Sequence, residues 1–303
     1  MTEFFITKDF KEVHNQLGME NAISNYDEGF AMYNLKDFGY QAPYTSSVFR
    51  PNYFVFLFVK QGKGTWMSSK KKYDLIPNTI NFTNINFAKQ FQYENLDEVH
   101  IIIFEEYFIK KYVDNKIYQR LPFLLSENIM PHVATDDFFQ ELENIYMQMY
   151  KEYNRNTKNH NIIAHFLAII LHKFNNEYFK DYDPILEGDK NSVIVNNFKL
   201  HLEENFTNLI NGSTFKLLKA SDYAQLQNYQ TSYFNSIIIS KTGKSITTWI
   251  SDRIIYESKI LLELSDLSIK QISNLFEYSE ATHFTFFFKK KTGMTPKQYR
   301  QEK

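Results

Sequence analysis

Ile272-Ser273-Asn274-Leu275-Phe276, then Tyr278, Phe284 and Phe288, then Lys289-Lys290-Lys291-Thr292-Gly293-Met294-Thr295-Pro296 and Tyr299-Arg300, is the stretch that decides the fold of this chain. It reads as helix, turn, helix, basic end, glycine stop and a proline opening one more short helix. Positive charge suits the carbonyl end of a helix, and glycine adopts the left-handed conformation that ends one. Thr242-Gly243-Lys244-Ser245, 50 residues earlier, repeats the stop, so the region carries an internal duplication. A short helix pair closed by lysines points to a polyphosphate backbone as partner.

Working outward, the chain of 303 residues suits two domains rather than one. Its 43% hydrophobic and 23% charged residues are globular values, and 29 Phe with 21 Tyr predict ring-rich cores. The charge is uneven. Residues 1–190 hold 20 basic against 25 acidic side chains, a net of −5, whereas residues 191–303 hold 14 against 10, a net of +4. A basic C-terminal third suits a nucleic-acid module attached to another domain. The absence of cysteine excludes disulfides and thiolate metal sites and fits a reducing compartment. The first residues, Met1 to Asp9, lack the basic and apolar regions of a secretory leader. Apolar runs such as Phe166–Leu171 are too short to span a bilayer, so the expectation is a cytoplasmic protein with no membrane partner.

From about Tyr53 to Phe104 the pattern is β. Phe54, Phe56 and Phe58 alternate with Tyr53, Val55, Leu57 and Val59, so both faces of that strand are covered. Gln61-Gly62-Lys63-Gly64 predicts a turn into Thr65–Ser68, with further strands at 72–76, 79–83, 89–93 and 99–104. Short strands at this spacing predict a sandwich or barrel. Its ring-rich interior suits either an apolar or ring-bearing ligand or a filled core.

From about 136 to 178 the period is helical. Phe138, Leu142, Ile145, Tyr146 and Met149 share one face; Ile163, Phe166, Leu167, Ile170, Leu171 and Phe174 form a wide apolar stripe on a second helix. Pro184, Gly188 and several charges mark 181–191 as a linker. Beyond it, helices are predicted at about 192–205, 214–226, 231–241, 246–264, 269–276, 280–291 and 296–301.

Catalytic signatures are missing. Of eight histidines only His100 falls on a predicted strand, and no histidine pair has i,i+4 spacing, so neither a metal nor another cofactor is expected. There is no phosphate-binding loop, dinucleotide fingerprint or nucleophile elbow. The chain does not read as an enzyme.

Residues 192–300 closely resemble the DNA-binding domain of AraC-type bacterial transcription regulators. The resemblance rests on Tyr223-Ala224, Thr242-Gly243, Trp249-Ile250, Arg253-Ile254, Lys259–Leu262, Leu267–Ile269, Thr292-Gly293, Thr295-Pro296 and Tyr299-Arg300. The strand region more diffusely resembles that family's cupin-like N-terminal domain. The resemblance implies an α+β chain. Residues 1–134 form a cupin-like barrel or sandwich for sensing or assembly, 135–180 a helical dimerisation or interdomain segment, and 192–303 an all-α domain. In the last, one helix-turn-helix unit (about 214–243) is joined to a second (about 269–293) by a long helix at 246–264.

It further implies promoter DNA, RNA polymerase and a second copy of the chain as partners, with a small-molecule effector in the barrel. Dimerisation falls on the stripe of Ile163, Phe166, Leu167, Ile170, Leu171 and Phe174, which equally well packs within its own chain. The DNA-facing residues are Gln230, Thr231, Ser232, Asn235, Ser236 and Ile239 in the first unit. In the second they are Ala281, Thr282, Thr285 and Phe286, with Lys289, Lys290 and Lys291 on phosphates. Tyr233, Phe234, Ile237 and Ile238 are expected to face inward. The chain departs from the family's arginines at Ser236 and Phe286, from its turn glycine at Glu277, and from its usual alanine and tyrosine at Ser273 and His283. The leading reading is a sequence-specific regulator. A protein-interaction module on the same scaffold with degenerate DNA binding is the alternative, and a cupin-type enzyme the third.

Overall fold

In a computed structural model of the chain, the described residues are 26–302 except 39–41, 47, 50, 69–70, 86–88, 115, 127–128 and 181–189. Two units divide the chain, Met1–Gly188 and Asp189–Lys303. Most of the expected linker, 181–189, lies outside the described residues; Lys190 and Asn191 already belong to a helix.

In the first unit, strands β1 (Phe30–Asn34), β2 (Tyr44–Thr45), β3 (Phe54–Ser68), β4 (Lys71–Leu75), β5 (Thr79–Thr83), β6 (Lys89–Phe104) and β7 (His132–Val133) form one antiparallel sheet. Its order is β1-β6-β3-β5-β7, with β2 on β6 and β4 on β3. Two expectations are corrected here. Gln61-Gly62-Lys63-Gly64 does not reverse the chain but sits inside β3, where the pairing with β6 shifts register three times. Likewise the strands expected at 89–93 and 99–104 are one strand. A bulge absorbs an extra residue while the ladder continues. A Cβ at Gly64 would lie 2.4 Å from the Gln92 carbonyl oxygen, so only glycine fits that approach. Beyond the irregularity β3 also changes its second neighbour, from β5 to β4, and its inward parity flips from Leu57 and Val59 to Trp66.

One sheet face carries Ala31, Tyr33, Leu57, Trp66, Tyr93 and Ile101 into an inner core. The other meets helices. After α1 (Glu106–Tyr112) and α2 (Ile117–Arg120) come α3 (Asp136–Tyr153) and α4 (His160–Tyr178). Thr135 caps α3 by accepting from Phe138 N–H, and Asn159 caps α4 by accepting from Asn161 and Ile162. Phe56 meets Phe174 edge-on at 5.1 Å, and Phe58 packs on Phe139 and Tyr146. Of the two readings of the α4 stripe, packing within its own chain accounts for Ile163, Leu167, Ile170, Leu171 and Phe174, which are fully buried in this unit. Only Phe166 of the set is half-buried, while Ile162 and Ile169 are the exposed apolar residues of α4.

The second unit is helical: α5 (Lys190–Ile210), α6 (Ala220–Leu226), α7 (Thr231–Thr242), α8 (Ile246–Leu264), α9 (Ile269–Leu275), α10 (Ala281–Thr292) and α11 (Pro296–Glu302). The helix expected at 214–226 begins only at Ala220, behind an Asp222 carboxylate that accepts the Lys219 N–H, and α5 runs five residues past the expected 205. Phe198 of α5, which no local signal marks, gathers Tyr223, Phe234 and Trp249 edge-on at 5.4–6.2 Å. Arg253, 5% exposed, forks onto Glu203 of α5 and also meets Glu257, fixing α8 against α5.

Candidate nucleic-acid interface

Two helix pairs, α6–α7 and α9–α10, repeat the same construction around α8. Each turn holds a residue in the left-handed region, Asn228 (φ 59°) and Glu277 (φ 57°). Each is followed by a tyrosine whose N–H returns to a buried small residue: Tyr229 to Ala224, and Tyr278 to Ser273. The serine that replaces alanine brings a hydroxyl buried without a hydrogen-bond partner. Burial pushes the Tyr278 phenol up to about 12.

The second helices end alike. Gly243 (φ 76°) and Gly293 (φ 86°) are left-handed caps whose N–H groups return to Ile239 and Lys289. Thr242 Oγ1 donates to the Ile238 carbonyl and accepts from Lys244 N–H and Trp249 Nε1. Thr292 repeats the first two bonds with Phe288 and Met294. Ser245 and Thr295 then cap α8 and α11 by accepting from Thr248 and Gln298. Tyr299 and Arg300 bind back to Glu263, Leu262 and Leu267, so the last helix closes the carbonyl end of α8.

This frame leaves one face of α7 and one of α10 outward. On α7, Gln230, Thr231, Ser232, Ser236 and Ile239 are exposed, and Phe234, Ile237 and Ile238 are buried. Tyr233 is corrected: it is 53% exposed and joins the outward face, its ring 5.7 Å from Tyr229. Asn235 is half-buried, and its Oδ1 accepts the Ile246 N–H at 3.0 Å, so one lone pair of its oxygen is held at the start of α8. The corresponding pair in the second unit is Thr285 and Pro296. Proline has no N–H to satisfy, and the Thr285 hydroxyl turns to the Ala281 carbonyl instead.

On α10, Ala281, Thr282, Thr285, Phe286 and Lys289 line one open depression, with Phe286 72% exposed. Lys289 is exposed at its wall and Lys290 is exposed beside it. Lys291 is placed differently: its ammonium is 3.2 Å from Asp252, which also holds Lys244. Glu277 points its carboxylate back into the protein, where Oε1 accepts Leu217 N–H at 2.8 Å. That contact ties the second turn to the segment leading into α6, a long-range link sequence spacing does not reveal.

In the first unit, Glu98, His100 and Glu143 form a cluster that no sequence motif announced, because Glu143 comes from α3 and the others from β6. Their ligand atoms lie within 4.8 Å of one another, a spread that could hold a metal ion. Lys60 already brings its ammonium to 2.9 Å from Glu143 and 3.5 Å from Glu98. Burial holds the His100 imidazole below its ordinary range, although both carboxylates pull it upward.

A duplicated helix-turn-helix built on one connecting helix defines the class, and comparison with known proteins gives the same answer. Residues 223–302 match the family described as a helix-turn-helix domain, and this region of the chain belongs to the AraC type. The HTH-type transcriptional regulator YobQ of Bacillus subtilis, itself uncharacterized, is 30% identical over 91 residues, 30% of this chain and 38% of YobQ. The Msm operon regulatory protein of Streptococcus mutans is 30% identical over 122 residues, 37% of this chain and 44% of that protein. The chain thus spans less than half the length of these relatives. Among solved structures, ToxT from Vibrio cholerae is similar along 89% of this chain and 97% of its own, at 15% identity and a TM-score of 0.38.

Proposed function

We propose that this chain is a sequence-specific DNA-binding regulator of transcription. Residues 192–303 are its DNA-binding domain, residues 1–134 its sensing or assembly domain, and residues 135–180 the helical segment between them. The observation that supports it is the repetition of an outward helix face, on α7 and on α10, each closed by the same threonine-glycine cap and carried by one helix. Two such faces can enter successive major grooves about 34 Å apart, with N-terminal side chains at base edges and basic residues on phosphates.

Base reading falls to Gln230, Thr231, Ser232, Tyr233, Ser236 and Ile239 in the first groove. In the second it falls to Ala281, Thr282, Thr285 and Phe286, with an apolar ring suited to a thymine methyl group. Lys289 and Lys290 are the phosphate contacts, with Lys291 held back by Asp252. RNA polymerase, a second copy of the chain and a small effector in the sheet interior complete the reading, which places the protein in the cytoplasm. Because the stripe on α4 is buried, pairing through that helix would use Ile162, Phe166 and Ile169.

Fluorescence anisotropy on promoter-length duplexes at graded salt tests the proposal. Affinity should fall steeply as salt rises and should differ between sequences at fixed salt. Exposed Phe286, Tyr233 and Ile239 favour an apolar protein partner as the second reading. Salt-independent or absent DNA binding would select it.

A further inference from the structure

We propose that the interior of the sheet is a binding site for a small hydroxylated monocarboxylate, its carboxylate held by Lys89 with Asn81 and Trp66. The cavity has a volume of about 50 Å³ and lies between Tyr53, Leu57, Phe91 and Ile101, with these three polar side chains on its wall. Lys89 is 3% exposed. Its ammonium donates to Thr83 Oγ1 at 2.6 Å and reaches the Asn84 carbonyl at 3.4 Å; both acceptors are neutral. No carboxylate contacts it among the described residues. Asn81 is buried with neither its amide oxygen nor its amide nitrogen paired, and the Trp66 indole N–H is buried unpaired as well.

Natural interiors seldom leave such groups empty-handed, because each loses its hydration for nothing. Here one cation, two N–H donors and one acceptor line the same apolar chamber. Burial alone pushes the Lys89 amine well below its ordinary range, and a bound anion would reverse that.

The chemistry narrows the occupant. A single buried ammonium among rings calls for one negative charge, since a dianion would leave a charge uncompensated in an apolar chamber. The volume is roughly a third of the ~150 Å³ engineered cavity that accepts benzene, so only a few non-hydrogen atoms fit. The carboxylate accepts from Lys89, Trp66 and the asparagine N–H. Whichever way the amide is turned, its oxygen still needs a donor. A hydroxyl on the acid supplies it, so glycolate should be preferred to acetate, and the six-atom lactate is too large. The proposal deepens the regulator reading by naming the class of effector, and its test contains no DNA, so the two can fail separately.

Thermal unfolding and titration calorimetry of the full chain with sodium glycolate and acetate provide the test. Sodium chloride at equal ionic strength and neutral ethane-1,2-diol are the controls. Glycolate should raise the melting temperature saturably and more than acetate, and the controls should not. Lys89→Met should weaken binding at least about tenfold, the loss of a charge-assisted hydrogen bond. Trp66→Phe, which keeps the ring and removes the N–H, should weaken it severalfold. No saturable binding by the wild type, equal shifts with chloride, or unchanged affinity in folded Lys89→Met would each overturn the proposal. Should Lys89→Met fail to fold, Trp66→Phe decides, and unchanged affinity there overturns it equally.

Discussion

Replacing Asn235 by alanine separates two roles for one side chain. Asparagine on a recognition helix can read adenine through a bidentate contact, which uses both its amide oxygen and its nitrogen. In this structure the oxygen already accepts Ile246 N–H at 3.0 Å. Ile246 is the first residue of α8, where backbone N–H groups have no intrahelical acceptor. Ser245 satisfies Thr248, and Asn235 satisfies Ile246 from the neighbouring helix. Loss of such a cap costs about 1 kcal/mol. For a unit the size of 189–303, that corresponds to a drop of roughly 4 °C in its melting temperature.

Because α7 also loses its register on α8, DNA affinity should fall alike for all sites, without loss of base preference. Asn235→Asp keeps an acceptor and places negative charge at a helix start, so it should retain the melting temperature while weakening DNA binding through charge. Calorimetric unfolding, together with anisotropy on a panel of single-base-substituted sites, reads both quantities. An Asn235→Ala protein of unchanged stability that loses discrimination at one base pair would refute the capping role.

Three further outcomes follow from the same contacts. Leu167→Glu should unfold the first unit, because a carboxylate there is buried without a partner, whereas Ile169→Glu on the exposed face of the same helix should leave its circular dichroism intact. Dissociation of a folded dimer by Leu167→Glu in sedimentation would contradict the core assignment. Lys289→Ala with Lys290→Ala should weaken binding to every sequence and lower the slope of log affinity against log salt by about 2, while Lys291→Ala, already paired with Asp252, changes it less.

The third concerns pH. Lys89 is depressed on folding, so between its folded value and about 10.4 the unfolded chain binds more protons, and this residue's contribution to stability rises with pH. In denaturant titrations without added carboxylate, the stability of wild type relative to Lys89→Met should therefore rise as pH climbs from 7 to 10. A constant difference would show the amine is not displaced.

The helical half was legible because its signals are local. Glycine caps at Gly243 and Gly293, hydroxyl caps at Ser245, Ser268 and Thr295, and the proline at 296 fix helix ends within a few residues, so α7 to α11 begin and end close to where the sequence places them. Phe284 and Phe288 fall inward for the same reason, since a 3.6-residue period determines which side chains share a face. In the sheet, the alternation of Phe54, Phe56 and Phe58 against Val55 and Leu57 gave both faces correctly, whereas Gly62 and Gly64 are equally compatible with a turn or a bulge. Whether β3 reversed or continued depended on β6 lying alongside it through Gln92 and Tyr93.

The sequence by itself therefore determined the two-part organisation, the duplicated helix pairs and the inward faces of Phe284 and Phe288, all of which follow from the order and spacing of neighbours along the chain. Only the tertiary structure decided what the ambiguous side chains do. The stripe on α4 is core because Phe56 and Phe82 of the sheet cover it; Asn235 is a cap because α8 starts beside it; Glu277 is a tether because Leu217 comes within reach. Each of these partners lies more than ten residues away in the chain. An apolar stripe, an amide or a carboxylate has the same local pattern whether it meets solvent, DNA or its own protein, and its role is set by the group that folding brings against it.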